Sequence, residues 1–239
     1  MNRAVTRSLA VTTTALLALA LAGCGGDDDE AAPGGSDSTP AEALELAKTT
    51  LDETTGVQIT LEADELSSSV TGIRRATGVG VHPPAFEGSF DLSVSGIPAT
   101  ADVIAVDGTV YAKNSLLLPQ WTAIDPADYG APDPNLLMGE DAGFSSLLTA
   151  TTDAEQGDQV RGGEGNREVF TSYTGTVPGD VVANIVPSAS GDFDASYTIS
   201  EDGELREAVL TGVFYEGDGE MTYTMTFSDY GTEQDITAP

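Results

Sequence analysis

The chain holds one cysteine and one histidine among 239 residues, and these two bound most of the chemistry it can do. A single Cys leaves no disulfide framework within the chain and no Cys-rich zinc site. A single His leaves no multi-His metal site, and any Ser-His-Asp relay would have to pass through His82. His82 sits in Val81-His82-Pro83-Pro84, which reads as a loop with no Ser or Asp motif beside it. No G-x-S-x-G, H-E-x-x-H, P-loop or G-x-G-x-x-G pattern stands at a strand–helix junction. Carboxylates are too frequent to mark a site. With 39 Asp and Glu, a pair falls within reach almost anywhere, and Asp192-Phe193-Asp194 and the acids near Asp218 read as turn residues. No catalytic residue, cofactor or metal is expected, and the chain is not expected to be an enzyme. Against the acids stand 9 Lys and Arg, for a net charge of −30. Nucleic acid is not expected as a partner, because phosphate contacts need clustered bases.

Cys24 is the residue whose surroundings specify a reaction. Arg3 and Arg7 form a short positive segment, and Leu9 to Ala22 then runs apolar. That run is short for a membrane span and has the length of a signal-peptide core. It ends in Leu21-Ala22-Gly23-Cys24, which resembles a bacterial lipobox, where the chain is cut before a cysteine whose sulfur carries diacylglycerol. An ordinary signal peptide with a Cys near its cleavage site is the alternative. Residues 1–23 are expected as signal peptide, residues 24–40 as acylated Cys and flexible acidic tether, and residues 41–239 as one domain. The tether, from Gly25-Gly26-Asp27-Asp28-Asp29-Glu30 onward, would span roughly 20 Å as a coil. Cleavage would leave 39 acids and 7 bases, a charge of −32. Two or three acyl chains give stable anchoring, here to the outer face of the cytoplasmic membrane. The folded domain itself is too acidic to lie on an anionic lipid surface.

The elements that must position any site are mostly strands. Thr39-Pro40-Ala41-Glu42 is a capping box with Pro at the first helical position, and Leu44, Ala47 and Leu51 continue at helical spacing to a stop near Gly56. Val57, Ile59, Leu61 and Ala63 then alternate with polar residues, as do Phe90, Leu92 and Val94. Val103 to Val106, Asp107-Gly108, and Thr109 to Ala112 form the strongest hairpin signal. Tyr197 and Ile199, Leu205 to Tyr215, and Met221, Tyr223, Met225 and Phe227 complete the pattern. Two shorter helices are expected over residues 141–149 and 178–186. The Pro- and Asp-rich stretch 119–139 reads as a long connection with Trp121 as its buried anchor. With 40% hydrophobic residues the chain can pack a core, and the rhythm predicts an antiparallel meander. One long and two short helices are modest cover for seven or more strands. The inner face is therefore either packed solid or left partly open as an apolar groove.

The ordered set of features resembles the actinobacterial LppX/LprA/LprF/LprG lipoproteins. It comprises Cys24, the N-terminal helix, Ala101-Asp102-Val103 into Val106-Asp107-Gly108-Thr109-Val110-Tyr111-Ala112, Pro119-Gln120-Trp121, Asp141-Ala142-Gly143-Phe144 with Leu147-Leu148, Val177 to Pro187, and Met221 to Tyr230. The likeness runs from about Glu42 to Pro239 and is nearest to the LprG members. It implies an α+β fold, a curved antiparallel half-barrel sheet wrapped over a few helices around an apolar cavity, similar to the bacterial lipoprotein-localisation factors. It implies binding of triacylated lipids or glycolipids such as lipoarabinomannan, their carriage across the cell envelope, and a major-facilitator transporter as partner. By position, Phe90, Leu92, Val94, Val103, Ala105, Met221, Tyr223, Met225 and Phe227 would line the cavity. Leu136, Leu137, Phe144 and Leu148 would stand at its entrance. The acidity departs from the family and favours a neutral triacylglycerol or glycolipid over an anionic phosphatidylinositol-based one. A lipoprotein scaffold that docks a transporter or wall polymer without lipid cargo is the alternative.

Overall fold

The computed structural model describes residues 38–67, 70–94, 96–129, 131–215, 217 and 219–239. Cys24, the signal peptide and all but the last residues of the expected tether lie outside the described residues. The capping box forms as expected. Glu42 N donates to Thr39 Oγ1 at 3.3 Å, and Thr39 N donates back to Glu42 Oε2 at 2.8 Å. It starts α1 (Pro40–Glu53), whose Ala43, Leu44, Ala47 and Leu51 are buried.

Eleven strands follow: β1 (Gly56–Ala63), β2 (Gly72–Val81), β3 (Ala85–Val94), β4 (Ile97–Val106), β5 (Thr109–Asn114), β6 (Leu118–Ile124), β7 (Thr152–Gly162), β8 (Glu168–Val177), β9 (Ser190–Ser200), β10 (Leu205–Val213) and β11 (Met221–Ser228). They form one open antiparallel sheet in the order β6-β5-β4-β3-β2-β1-β11-β10-β9-β8-β7. Two meanders, β1–β6 and β7–β11, therefore meet at a seam where β1 pairs with β11, Leu61 opposite Met225 and Ala63 opposite Tyr223. The Asp107-Gly108 turn joins β4 to β5 with both residues at positive φ, 51° and 70°, as a two-residue turn of the hairpin-favoured type requires.

Between the meanders come α2 (Phe144–Ala150) and, before β9, α3 (Gly179–Val182). Both are shorter than the sequence suggests. Residues 139–143 form turns instead, with Gly143 N donating to Gly139 O at 2.8 Å. After α3 the hydrogen bonds mix three- and four-residue spacing up to Val186, so the apolar periodicity is kept but the helix is not. The stretch expected as connection begins instead as β6, an edge strand, where Pro119 costs no ladder bond. Trp121 is consequently half-buried on the outer face with Lys113 Nζ 5.9 Å from its ring centre, and is no buried anchor.

One core joins α1, α2 and α3 to the inner sheet face. Met221, Tyr223, Met225 and Phe227 are all buried. Met138 presses on β2 at Gly80, where a β-carbon would come within 2.6 Å of its Cγ. A small second cluster, Val81, Ala85, Ile104 and Ile236, covers part of the outer face. Ser38–Pro239 is one compact unit with its own core and its own helix cap, and so has what it needs to fold without the 37 residues before it.

Candidate functional site

Two spaces adjoin at the middle of the sheet, one on its inner face and one wrapping the strand ends. The first is an apolar cavity of about 50 Å³ between the sheet and its helical cover. Ile59, Phe86, Phe90 and Met225 wall it from the sheet side, and Leu137, Phe144, Leu147 and Val182 from the cover. Phe86 and Phe90 pack with ring centres 5.7 Å apart. The second is a groove of about 890 Å³ at the strand ends, lined by Ala63, Arg74, Arg75, Leu92, Pro98 and Met221 among others. On three strands the cavity residue and the groove residue are two apart, Leu61 and Ala63, Phe90 and Leu92, Tyr223 and Met221. Residues two apart share a sheet face, so the groove continues the cavity floor.

A hydrogen-bonded pair of tyrosines separates the two. β1 stops pairing with β2 at Glu62 opposite Arg75, and the tyrosine hydroxyls take up Ile73 beyond that point. Ile73 N donates to Tyr215 Oη at 3.1 Å, and Tyr223 Oη donates to Ile73 O at 2.5 Å. With its proton so used, Tyr223 Oη accepts from Tyr215 Oη at 2.8 Å. Burial pushes both phenols up, Tyr223 furthest because Tyr215 adds to the effect. Both stay neutral, and the ring of bonds leaves no buried donor unpaired.

The groove is mixed in charge. Arg74 is the extra residue of a bulge in β2, so both arginines project outward. Arg75 Nη1 pairs with Glu62 Oε1 at 2.9 Å. Arg74 has no carboxylate within ion-pair distance among the described residues. Asp64 Oδ1 accepts from Thr222 N at 2.9 Å, which holds its carboxyl below the usual range. Asp91 Oδ1 accepts from Thr100 Oγ1 at 2.8 Å, and Glu65 and Glu220 complete the acids. No group of three metal-ligating side chains occurs among the described residues, and none of their helices is long and apolar enough to cross a membrane. His82 Nε2 lies 3.2 Å from Leu51 O, a contact that ties its loop to the end of α1.

Of the residues expected at the cavity, Phe90, Tyr223, Met225, Leu137 and Phe144 line it, and Leu92 and Met221 line the groove. Val103, Ala105 and Phe227 face inward but are packed in the core beside it. Two placements need correction: Val94 is exposed and Leu148 is fully buried in the core, so neither lines the cavity or its entrance. Leu136 is exposed beside the lining residue Leu137. The sequence reading missed β2 altogether, although Ile73 and Ala76 are cavity walls. The bulge at Arg74 breaks the alternation that would have revealed them. The same reading took Tyr215 as the end of a strand and not as a site residue, whereas Tyr215 follows the end of β10.

The matches to known proteins follow the whole described unit. The family model described as LppX_LprAFG lipoprotein matches residues 39–236. LprF from Mycobacterium bovis is similar in structure, with a TM-score of 0.65, 16% identity, and 84% of this chain and 96% of that one covered. The Mycobacterium tuberculosis lipoprotein LppX is similar too, with a TM-score of 0.60, 17% identity, and coverage of 84% and 100%. At such identities the two structures show the fold, an open antiparallel sheet with few helices. No curated protein is similar enough in sequence to match. The match over residues 39–236 places the chain in the LppX_LprAFG lipoprotein family.

Proposed function

We propose that this lipoprotein binds the acyl chains of a lipid or glycolipid between its sheet and its helical cover and carries them across the cell envelope. The observation that carries this reading is a nearly all-apolar cavity lying next to a polar groove, with only the hydrogen-bonded tyrosine pair between them. Acyl chains would occupy the first, and a head group would stay in the second. Anchored through Cys24, the protein would work at the outer face of the cytoplasmic membrane. A major-facilitator transporter is the proposed partner, and no catalytic step is assigned. The acids of the groove outnumber its two arginines, which favours an uncharged head group rich in hydroxyls, for which carboxylates accept and Arg74 donates.

The physics favours a carrier that need not bind more tightly than a bilayer. Moving one C16 chain into water costs about 13 kcal/mol at ~0.8 per CH₂. An apolar wall removes most of that. The cavity as it stands has about 50 Å³, a third of the ~150 Å³ engineered cavity that admits one benzene. Loading therefore requires the cover to move off the sheet. Its pieces suit that motion: α2 has 7 residues and α3 has 4. Within the cover, Lys48 ties α1 to the start of α2, its Nζ donating to Glu140 O at 2.6 Å and to Ser145 Oγ at 3.3 Å.

The closed cavity equally favours the rival reading, a scaffold without cargo. Mass spectrometry of organic extracts from protein purified from its own host decides between them. A stoichiometric acylated lipid is expected. Lipid-free protein that also takes up nothing from liposomes would leave the scaffold.

A further inference from the structure

Among the described residues seven large apolar side chains are exposed, and four of them gather at one end of the β3–β6 region. Leu116 is 87% exposed, Leu117 81%, Ile97 68% and Val94 44%. Val94 pairs with Ile97 across the β3–β4 turn. Asn114, at the end of β5, donates through Nδ2 to Thr100 O, which sets the β5–β6 tip alongside the first residues of β4. The tip is built rather than loose. Asn114 Oδ1 accepts from the N–H of Leu116 at 2.9 Å and of Leu117 at 3.1 Å. A side-chain-stabilised turn thus holds two adjacent leucines in water, at a cost that an isolated soluble domain has no reason to bear. The other three, Leu46, Leu136 and Val160, are scattered singly, which is ordinary.

Charge sets this region apart as well. Leu92 to Ile124 contains only Asp102, Asp107 and Lys113, in a chain with 39 acids among 239 residues. Lys113, Tyr111 and Trp121 lie together on the outer face behind the tip, a set of residues suited to a membrane–water boundary. Pro98 in β4 and Pro119 in β6 lack the N–H that another strand would pair with. The same apolar residues border the groove, whose lining includes Leu92, Ser93, Pro98 and Ala99.

We infer that this tip is the surface that meets the bilayer, inserting Leu116, Leu117, Ile97 and Val94 into an uncharged lipid surface beside the mouth of the groove. Its purpose, handing lipid to the groove, rests on the cargo reading above; the membrane contact does not. The acidity elsewhere repels anionic lipid, so the contact is made where the repulsion is least.

The test uses residues 38–239, zwitterionic phosphatidylcholine vesicles, and the emission of Trp121, the only tryptophan. Vesicles are expected to shift that emission to the blue and to carry the protein down on sedimentation. Leu116→Asp with Leu117→Asp should weaken binding at least tenfold with an unchanged near-ultraviolet spectrum, and Leu46→Asp should leave binding as it was. Uptake of lipid from vesicles should fall with the double variant, while uptake from detergent micelles persists. Equal vesicle binding by the double variant overturns the inference. So does absence of binding by the parent, including the case in which the parent self-associates through the tip and the variant does not. If vesicles bind but neither protein takes up lipid from any source, the cargo reading fails and the tip stands.

Discussion

The two outermost strands of the sheet solve the same problem in opposite ways. An edge strand offers unpaired backbone groups to any other strand, and proteins blunt it with charges, bulges or proline. At one edge β7 uses the first two devices. Asp153, Glu155, Asp158 and Arg161 lie along it, and its pairing with β8 shifts register twice. At the other edge β6 has no charged residue at all, and its devices are Pro119 and one register shift against β5. The halves behind these edges differ in the same sense. The β7–β11 half is packed with aromatics, Phe193 on Phe214 at 4.7 Å and Phe214 on Tyr223 at 4.7 Å. The β1–β6 half carries a glycine-rich floor, part of the cavity wall, and the exposed leucines. One half is built to hold its shape in water, and the other to meet something apolar.

The largest effect that would sharpen this contrast comes from deleting one ring in each half. Phe193 is fully buried against Phe214, and Phe193→Ala should cost near the top of the ~3–5 kcal/mol range for such truncations. Phe90 already faces a void and gives up fewer contacts, so Phe90→Ala should cost near the bottom of that range or below. Urea denaturation of both variants makes the comparison. Equal costs would mean that the two halves are packed alike.

How much of this was legible beforehand depends on whether parity survived. On β11 every second residue is apolar and no bulge intervenes, so spacing alone puts Met221, Tyr223, Met225 and Phe227 on one apolar face, and the resemblance turned that face toward the cavity. The Asp107-Gly108 hairpin was readable because its turn chemistry is local. The extra residue at Arg74 hid β2, and Pro119 disguised β6 as a connection. Leu148 was placed at the entrance by resemblance; helical spacing marks it as apolar and says nothing about what covers it. The groove was invisible in sequence, since it is made where five strands happen to end.

The next test addresses the seam between the halves. Tyr223 on β11 and Tyr215 after β10 bind Ile73 on β2 through buried hydroxyls. Tyr223→Phe keeps the ring but leaves Ile73 O and the Tyr215 proton without a partner. An unsatisfied buried group costs about 1–3 kcal/mol. Thermal or urea unfolding reads that loss. Hydrogen exchange at the Ile73 amide should also quicken, because the ring of bonds that closes the cavity from the groove is opened. A variant as stable as the parent would show that water already reaches this boundary, and that the two spaces are one.

The smallest expected effect lies at the rim of the same seam. Asp64 extends the β1–β11 ladder by one step, its N–H donating to Thr222 O at 3.0 Å while its carboxylate accepts from Thr222 N. The second bond stabilises the ionised form, so the folded pKa lies below the unfolded value of ~3.9. The sign follows directly. The contribution is complete above the unfolded pKa and disappears as pH falls through the lowered folded one. Because Asp64 is exposed, solvent screens it, and Asp64→Asn should cost only about 0.5–1 kcal/mol at pH 7. With 39 acids titrating together, an acid scan of the parent alone cannot isolate this group. The difference between parent and variant can: it should be present at pH 7 and shrink toward zero as pH falls through the lowered folded pKa. A difference that stayed constant with pH would mean that geometry rather than charge joins the two halves at this point.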